Sequence, residues 1–194
     1  MNFMKLFLSI LISSFLLIEN NPPSFPKFES IASNGKKVSS ENLKGKKTIF
    51  AVYYLGYFAA MNFQNDLEQM QKTMDTSKYQ IICLLLNTES QIKQFNEDEK
   101  NLWSNLRFFY KLEKSNLTQI PDCTVEKRQV KKGDIGPQCE NLAKKLNYKS
   151  SPTIYYLDEN AEIVKIEDGF ITSRTQEERI KMYYQNFEKE NNTK

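Results

Sequence analysis

Two nearly continuous apolar runs dominate the middle of the chain, at residues 48–54 and 79–86. Neither run alternates between apolar and polar positions, so each is predicted as a strand buried on both faces of a sheet. Between them, residues 62–74 carry apolar side chains at helical spacing, with acidic and amide residues at the other positions. This spacing predicts an amphipathic helix, and the three elements form a βαβ unit whose crossover should be right-handed.

The flanking pattern predicts further elements of an α/β domain. Asn34-Gly35 is a strong turn signal, which predicts a hairpin before the first apolar run. Residues 153–157 and 162–167 are predicted strands, and the short connection between them requires antiparallel pairing. The other predicted elements are a helical turn at 40–45, helices at 88–104, 138–146 and 175–188, and a short strand at 106–110. Residues 111–138 are rich in Lys, Gly, Pro, Asp and Gln and are predicted as a polar insertion.

The N-terminus has the pattern of a targeting segment. Lys5 precedes an apolar and serine-containing run at residues 6–18, which has the length of a signal-peptide core and is shorter than the roughly 20 residues of a spanning helix. We predict a signal peptide or uncleaved signal anchor at residues 1–20, with one domain at 21–194. The protein is therefore expected to be exported, to a periplasmic or other extracytoplasmic location, with membrane association through residues 1–18 if the anchor is retained.

Composition excludes several classes of function. The chain has 27 basic and 24 acidic residues, a net charge of +3, which makes no case for a nucleic-acid partner. Histidine is absent, which excludes a Ser-His-Asp triad and any His-ligated metal site within this chain. We expect neither a metal nor another cofactor.

Three local motifs resemble one known family. They are residues 26–46, which contain Asn34-Gly35 and Leu43-Lys44-Gly45-Lys46; residues 53–61, Tyr-Tyr-Leu-Gly-Tyr-Phe-Ala-Ala-Met; and residues 150–154, Ser-Ser-Pro-Thr-Ile, followed by Gly169-Phe170. With the order of elements, they resemble the thioredoxin-like fold, in particular the exported TlpA/ResA type of the AhpC/TSA-related group. The resemblance implies a central mixed β-sheet flanked by helices, an N-terminal hairpin, and a polar insertion before a strand that begins at a cis-proline, Pro152.

The resemblance also locates a site that lacks its usual chemistry. Tyr57 falls on the aromatic position before the Cys-x-x-Cys motif, Phe58 and Met61 fall on the two cysteines, and Ser151 precedes the cis-proline. Thiol–disulfide exchange needs a thiolate at this helix N-terminus, and neither Phe nor Met supplies one. We therefore expect no classical exchange here, and a surviving apolar surface that binds a protein or an extended peptide. Its predicted members are Tyr57, Phe58, Met61, Ser151 and Pro152.

The three cysteines of the chain lie elsewhere. Cys83 is inside the second apolar run, where a buried and inert thiol is expected. Cys123 and Cys139 lie in and just after the polar segment, where an exported protein can hold a structural disulfide worth about 3 kcal/mol on the chain-entropy model. The alternative is a redox-active pair, with Cys139 as a low-pKa thiol near a helix N-terminus.

Three functional hypotheses remain open at this point. The first is a non-catalytic, exported thioredoxin-like protein that acts as a protein- or peptide-binding or assembly factor of the cell envelope. The second is a divergent thiol–disulfide oxidoreductase or isomerase that uses Cys123 and Cys139. The third is a structural subunit of an envelope complex.

Overall fold

The computed structural model describes residues 24–55, 58–97, 115–122, 142–171 and 175–188. The predicted signal segment, the predicted strand at 106–110, Cys123 and Cys139 lie outside these ranges. Within them, none of the helices combines the length and apolar character that crossing a membrane requires.

A five-stranded mixed sheet forms the centre of the described structure, in the order β5-β4-β3-β6-β7. Its strands are β3 (Lys47–Tyr53), β4 (Tyr79–Leu85), β5 (Thr118–Pro121), β6 (Thr153–Leu157) and β7 (Ile163–Asp168). β3 pairs in parallel with β4 and antiparallel with β6, and β6 pairs antiparallel with β7. A separate hairpin joins β1 (Glu29–Ile31) to β2 (Lys37–Ser39), and a 3₁₀ helix, Ser40–Leu43, follows it. The helices within the described ranges are α1 (Phe58–Thr73), α2 (Glu89–Glu97), α3 (Leu142–Lys145) and α4 (Gln176–Glu188).

The two faces of the sheet are covered by different elements. Ile49, Ala51 and Tyr53 of β3 point to one core cluster, which α1 and α4 cover. Phe50 and Val52 point to a second cluster, which the N-terminal segment, the hairpin and α3 cover. Burial on both faces explains why the strand shows no polar alternation, and the prediction for this run is confirmed.

The N-terminal segment is fixed to the second face by aromatic packing. The ring centroids of Phe25 and Phe50 lie 4.6 Å apart, and Phe28 packs edge-on against the same ring at 6.0 Å. The Phe25 N–H also donates to the Ala161 carbonyl oxygen at 3.2 Å. The described part of the domain thus begins with a segment that packs against the second face of the sheet.

Two predicted boundaries are wrong. The polar insertion was predicted from residue 111, but β5 pairs in parallel with β4, and Leu117 and Ile120 are buried. This strand has four residues and ends in Pro121, which only an edge strand tolerates, so it carries almost no periodic signal. Helix α1 begins at Phe58, four residues before the predicted start at 62, because Ala60 and Met61 already pack into the core.

Candidate functional site

The junction between β3 and α1 lies against the loop that precedes β6. β3 ends at Tyr53 and α1 begins at Phe58. The Tyr54 N–H donates to Ser151 Oγ at 3.1 Å, a contact between residues 97 positions apart in sequence. The Ser151–Pro152 peptide bond is cis, as the resemblance implied. The structure therefore brings together the two segments that the sequence singled out.

A buried asparagine holds the same junction from the β4 side. Asn87 lies two residues after the end of β4 and is only 1% exposed. Its Oδ1 accepts a hydrogen bond from the Leu55 N–H at 2.7 Å, and its Nδ2 donates to the Leu55 carbonyl oxygen at 2.8 Å. The sequence analysis missed this residue, although an asparagine at the carboxyl end of an apolar run was a visible signal. Asn87 supplies the backbone partners that Leu55 loses where β3 stops.

We expect Asn87→Ala to lower the free energy of unfolding by about 2–3 kcal/mol, because it leaves both backbone groups of Leu55 buried without a partner. Urea denaturation followed by circular dichroism measures the loss. The matched control is Asn116→Ala, at an exposed position, which should change stability by less than about 0.5 kcal/mol. Equal effects from the two substitutions would contradict the role given to Asn87.

A second network fixes the loop before β6 to the end of β7. Asp168 Oδ1 accepts hydrogen bonds from Ser150 Oγ at 3.1 Å and from Thr153 Oγ1 at 2.6 Å. The Gly169 N–H donates to the Pro152 carbonyl oxygen at 2.8 Å, with Gly169 in the left-handed region at a φ of 91°. The loop before β6 is therefore held by the end of β7 on one side and by the β3–α1 junction on the other.

The predicted binding residues do not all reach the surface. Met61 is 0% exposed and belongs to the core cluster between α1 and the sheet. Pro152 is buried as well, whereas Ser151 is partly exposed. Tyr57 and the Phe58 side chain lie outside the described structure. We therefore assign Met61 to core packing rather than to a surface that a peptide can touch.

Cys83 lies in the core beneath this junction. It is fully buried and unpaired, and burial raises the pKa of its thiol to about 12. A hydrogen bond from the Tyr53 hydroxyl partly offsets that effect, while the Glu68 carboxylate acts in the same direction as burial. A thiol that stays protonated and inaccessible is no nucleophile, which agrees with the packing role predicted for Cys83. The described residues contain no group of three or more His, Cys, Asp or Glu that could hold a metal ion.

The raised pKa predicts an alkaline loss of stability. In the unfolded chain the thiol ionises near its ordinary value of 9.0, whereas in the native protein it keeps its proton up to about 12. The contribution is complete below pH 9.0 and is lost as pH rises through this window, at about 1.4 kcal/mol per pH unit. Urea denaturation of the native chain and of Cys83→Ala across this range measures it. An identical pH slope for the two proteins would contradict the assignment.

Comparison with known proteins gives the fold. No protein-family model and no curated protein sequence matches the chain, but solved structures do. The exposed lipoprotein thioredoxin Etrx1 of Streptococcus pneumoniae superposes with a TM-score of 0.55 at 16% identity, covering 84% of this chain and 99% of that one. The chain has a thioredoxin-like fold.

Two further thioredoxin-like structures agree. The thioredoxin domain of a thiol-disulfide oxidoreductase from Bacteroides vulgatus matches with a TM-score of 0.54 at 14% identity, over 85% of this chain and 96% of its own. StoA from Bacillus subtilis matches with a TM-score of 0.51 at 17% identity, over 84% and 99%. In this thioredoxin-like frame, the β3–α1 junction is the place where the resemblance puts the Cys-x-x-Cys motif, and the first cysteine of this chain is Cys83.

Proposed function

We propose that this chain is an exported, thioredoxin-like protein that binds protein segments at the β3–α1 junction and does not catalyse thiol–disulfide exchange. The observation that carries the proposal is the Tyr54–Ser151 hydrogen bond, which holds the junction and the loop before β6 together at 3.1 Å although no cysteine precedes Cys83. The contact between the junction and the loop before β6 is thus present although the junction contains no cysteine.

The chemistry of exchange supports the negative half of the proposal. The reaction proceeds by attack of an exposed thiolate on a disulfide sulfur through a mixed disulfide. Phe58 and Met61 form no mixed disulfide, and the Cys83 thiol is buried and protonated. The junction therefore has a scaffold for contact with another chain and no group that exchanges electrons with it.

The binding half rests on the loop before β6. Ser151 is partly exposed directly beside the junction, in the position where the resemblance places the backbone that pairs with an extended substrate. The carbonyl of the following residue, Pro152, is already bonded to Gly169, so the loop is held in one shape before any partner arrives. A preformed loop loses little conformational freedom on binding, which favours capture of an extended segment.

Export is part of the same proposal. It is supported by the apolar run at residues 6–18 behind Lys5 and by the similarity to a pneumococcal protein that is described as an exposed lipoprotein. An assembly factor or a structural subunit of the cell envelope would fit this location equally, and both would use the same binding surface.

A titration with an unfolded polypeptide tests the proposal. Reduced, carboxymethylated α-lactalbumin is added to the isotope-labelled protein, and amide shifts are followed by nuclear magnetic resonance. We expect shifts to cluster at Tyr54, Leu55, Ser150 and Ser151, and to be unchanged in Cys123→Ser/Cys139→Ser. No shifts at these amides would contradict the proposed binding site.

A second candidate function is thiol–disulfide exchange through Cys123 and Cys139. It is favoured by the structural similarity to the thioredoxin domain of a thiol-disulfide oxidoreductase from Bacteroides vulgatus. It predicts a bridge between the two cysteines that a glutathione buffer reduces in the folded protein. A bridge that opens only after unfolding would leave the binding function as the better account.

A further inference from the structure

A cavity of about 370 Å³ lies at the opposite end of the sheet from the junction. It is lined by residues of the hairpin, the segment before β3, the end of α1 and the start of β4. Strand β3 lies between the cavity and the junction. Lys46, which lines the cavity, directly precedes the first residue of β3, and the junction follows the last residue of β3. A strand of seven residues spans roughly 23 Å, so the two sites are independent.

The charges on this cavity are all of one sign. Three lysines line it, Lys36, Lys37 and Lys46, and none of the described residues that line it is acidic. Lys46 Nζ donates to the Thr76 carbonyl oxygen at 2.7 Å, and Lys37 Nζ lies 3.1 Å from Glu29 Oε2 in a pair exposed to solvent. An ammonium group has three N–H donors, so each of these lysines keeps donors for a further acceptor.

The rest of the lining is mixed in character. The polar residues Asn42, Gln71 and Gln80 and the apolar or aromatic residues Met74 and Tyr79 also line the cavity. A volume of this size is in the range of small-molecule sites.

From this lining we propose that the cavity binds a small polyanionic molecule that carries phosphate or carboxylate groups. The anionic groups are held by Lys36, Lys37 and Lys46. Binding here requires neither the β3–α1 junction nor any cysteine, so it stands or falls separately from the proposed function.

Titrations with two simple anions test the site. Inorganic pyrophosphate represents the phosphate source and citrate the carboxylate source, and each is added separately to the labelled full-length protein. We expect the amides of residues 36–38, 46 and 80 to shift with at least one of the two anions. The anion that binds more tightly identifies which of the two groups the cavity prefers.

Matched variants separate the cavity from general attraction to a basic protein. Lys36→Ala/Lys46→Ala should weaken binding at least about tenfold, since charge-assisted hydrogen bonds are lost. Lys93→Ala/Lys149→Ala removes the same charge at exposed positions outside the cavity and should change the affinity less than about twofold. Equal weakening by the two pairs, or shifts that spread over all surface lysines, would overturn the proposal, as would the absence of binding by both anions. A melting temperature within the range of the control confirms that each variant is folded.

Discussion

Replacing both Phe58 and Met61 with cysteine is expected to produce a chain that reduces disulfides at the β3–α1 junction. The two positions are three residues apart in α1, and residues at this spacing on a helix lie about 5–6 Å apart at Cβ before any adjustment. A disulfide needs Cα atoms within about 4.4–6.8 Å, a range that a helix turn satisfies. Phe58 is also the first residue of α1, where the helix N-terminus lowers the pKa of a thiol.

We expect Phe58→Cys/Met61→Cys to reduce insulin with dithiothreitol at least about tenfold faster than the original chain, since it places a thiol at the N-terminus of α1. The assay is carried out in a background of Cys123→Ser/Cys139→Ser, so that only the new pair can react. Phe58→Ser/Met61→Ser is the control for the loss of apolar volume. A folded double-cysteine variant without activity would show that the junction does not position this pair for exchange.

The second large effect is expected at the contact between α1 and α4. Arg179 Nε lies 2.6 Å from Asp66 Oδ2, and an Arg179 Nη nitrogen lies 2.8 Å from Asp66 Oδ1, so the pair is bidentate. Gln176 Nε2 donates to the same Oδ1 at 3.2 Å. The Asp66 side chain is 2% exposed, so its carboxylate oxygens accept hydrogen bonds from Arg179 and Gln176 in place of water. Removal of the guanidinium leaves a buried carboxylate without its counter-charge.

Arg179→Met is expected to lower the free energy of unfolding by about 3 kcal/mol, because breaking a buried pair costs more than the pair contributes as a whole. Asp66→Asn in addition should restore part of the loss, since no charge is then buried. Lys44→Met, which removes an exposed partner of Glu41, is the control and should have little effect. Urea denaturation compares the variants, and a loss as small as that of the control would show that solvent screens Asp66.

The sequence predicted the central part of the fold because the strongest constraint there is burial. β3 and β4 are covered on both faces, and the middle of each strand is therefore apolar without alternation. The hairpin and the two strands after Pro152 were equally visible, because Asn34-Gly35 is a strong turn signal and the short connection after β6 requires antiparallel pairing. Here local pattern and tertiary structure agree.

The polar residues of α1 show where sequence patterns stop being informative. Gln64, Asp66 and Glu68 are among the polar residues between the apolar positions of the predicted amphipathic helix, yet they are 0%, 1% and 6% exposed. They are buried because α4 covers this face and supplies partners such as Arg179, and because Gln64 Nε2 donates to Glu68 Oε1 at 2.9 Å. Periodicity counts apolar positions and contains no information about a partner more than a hundred residues away.

The candidate site, like the fold, was predicted only in part from the sequence. The resemblance located the junction and the loop of Ser151 and Pro152 from motifs, and the structure places the two together. It did not reveal Asn87, whose role depends on where β3 ends in space, or the burial of Met61, which follows from α1 starting four residues early. These features depend on packing between elements and not on the residues of one element.

The measurement that tests the central claim most directly is the rate of insulin reduction by the unaltered chain in the presence of dithiothreitol. The account predicts a rate equal to that of dithiothreitol alone, and no change in that rate for Cys139→Ser. A rate above this background that Cys139→Ser abolishes would contradict it, and would assign to the protein the exchange chemistry that its junction lacks.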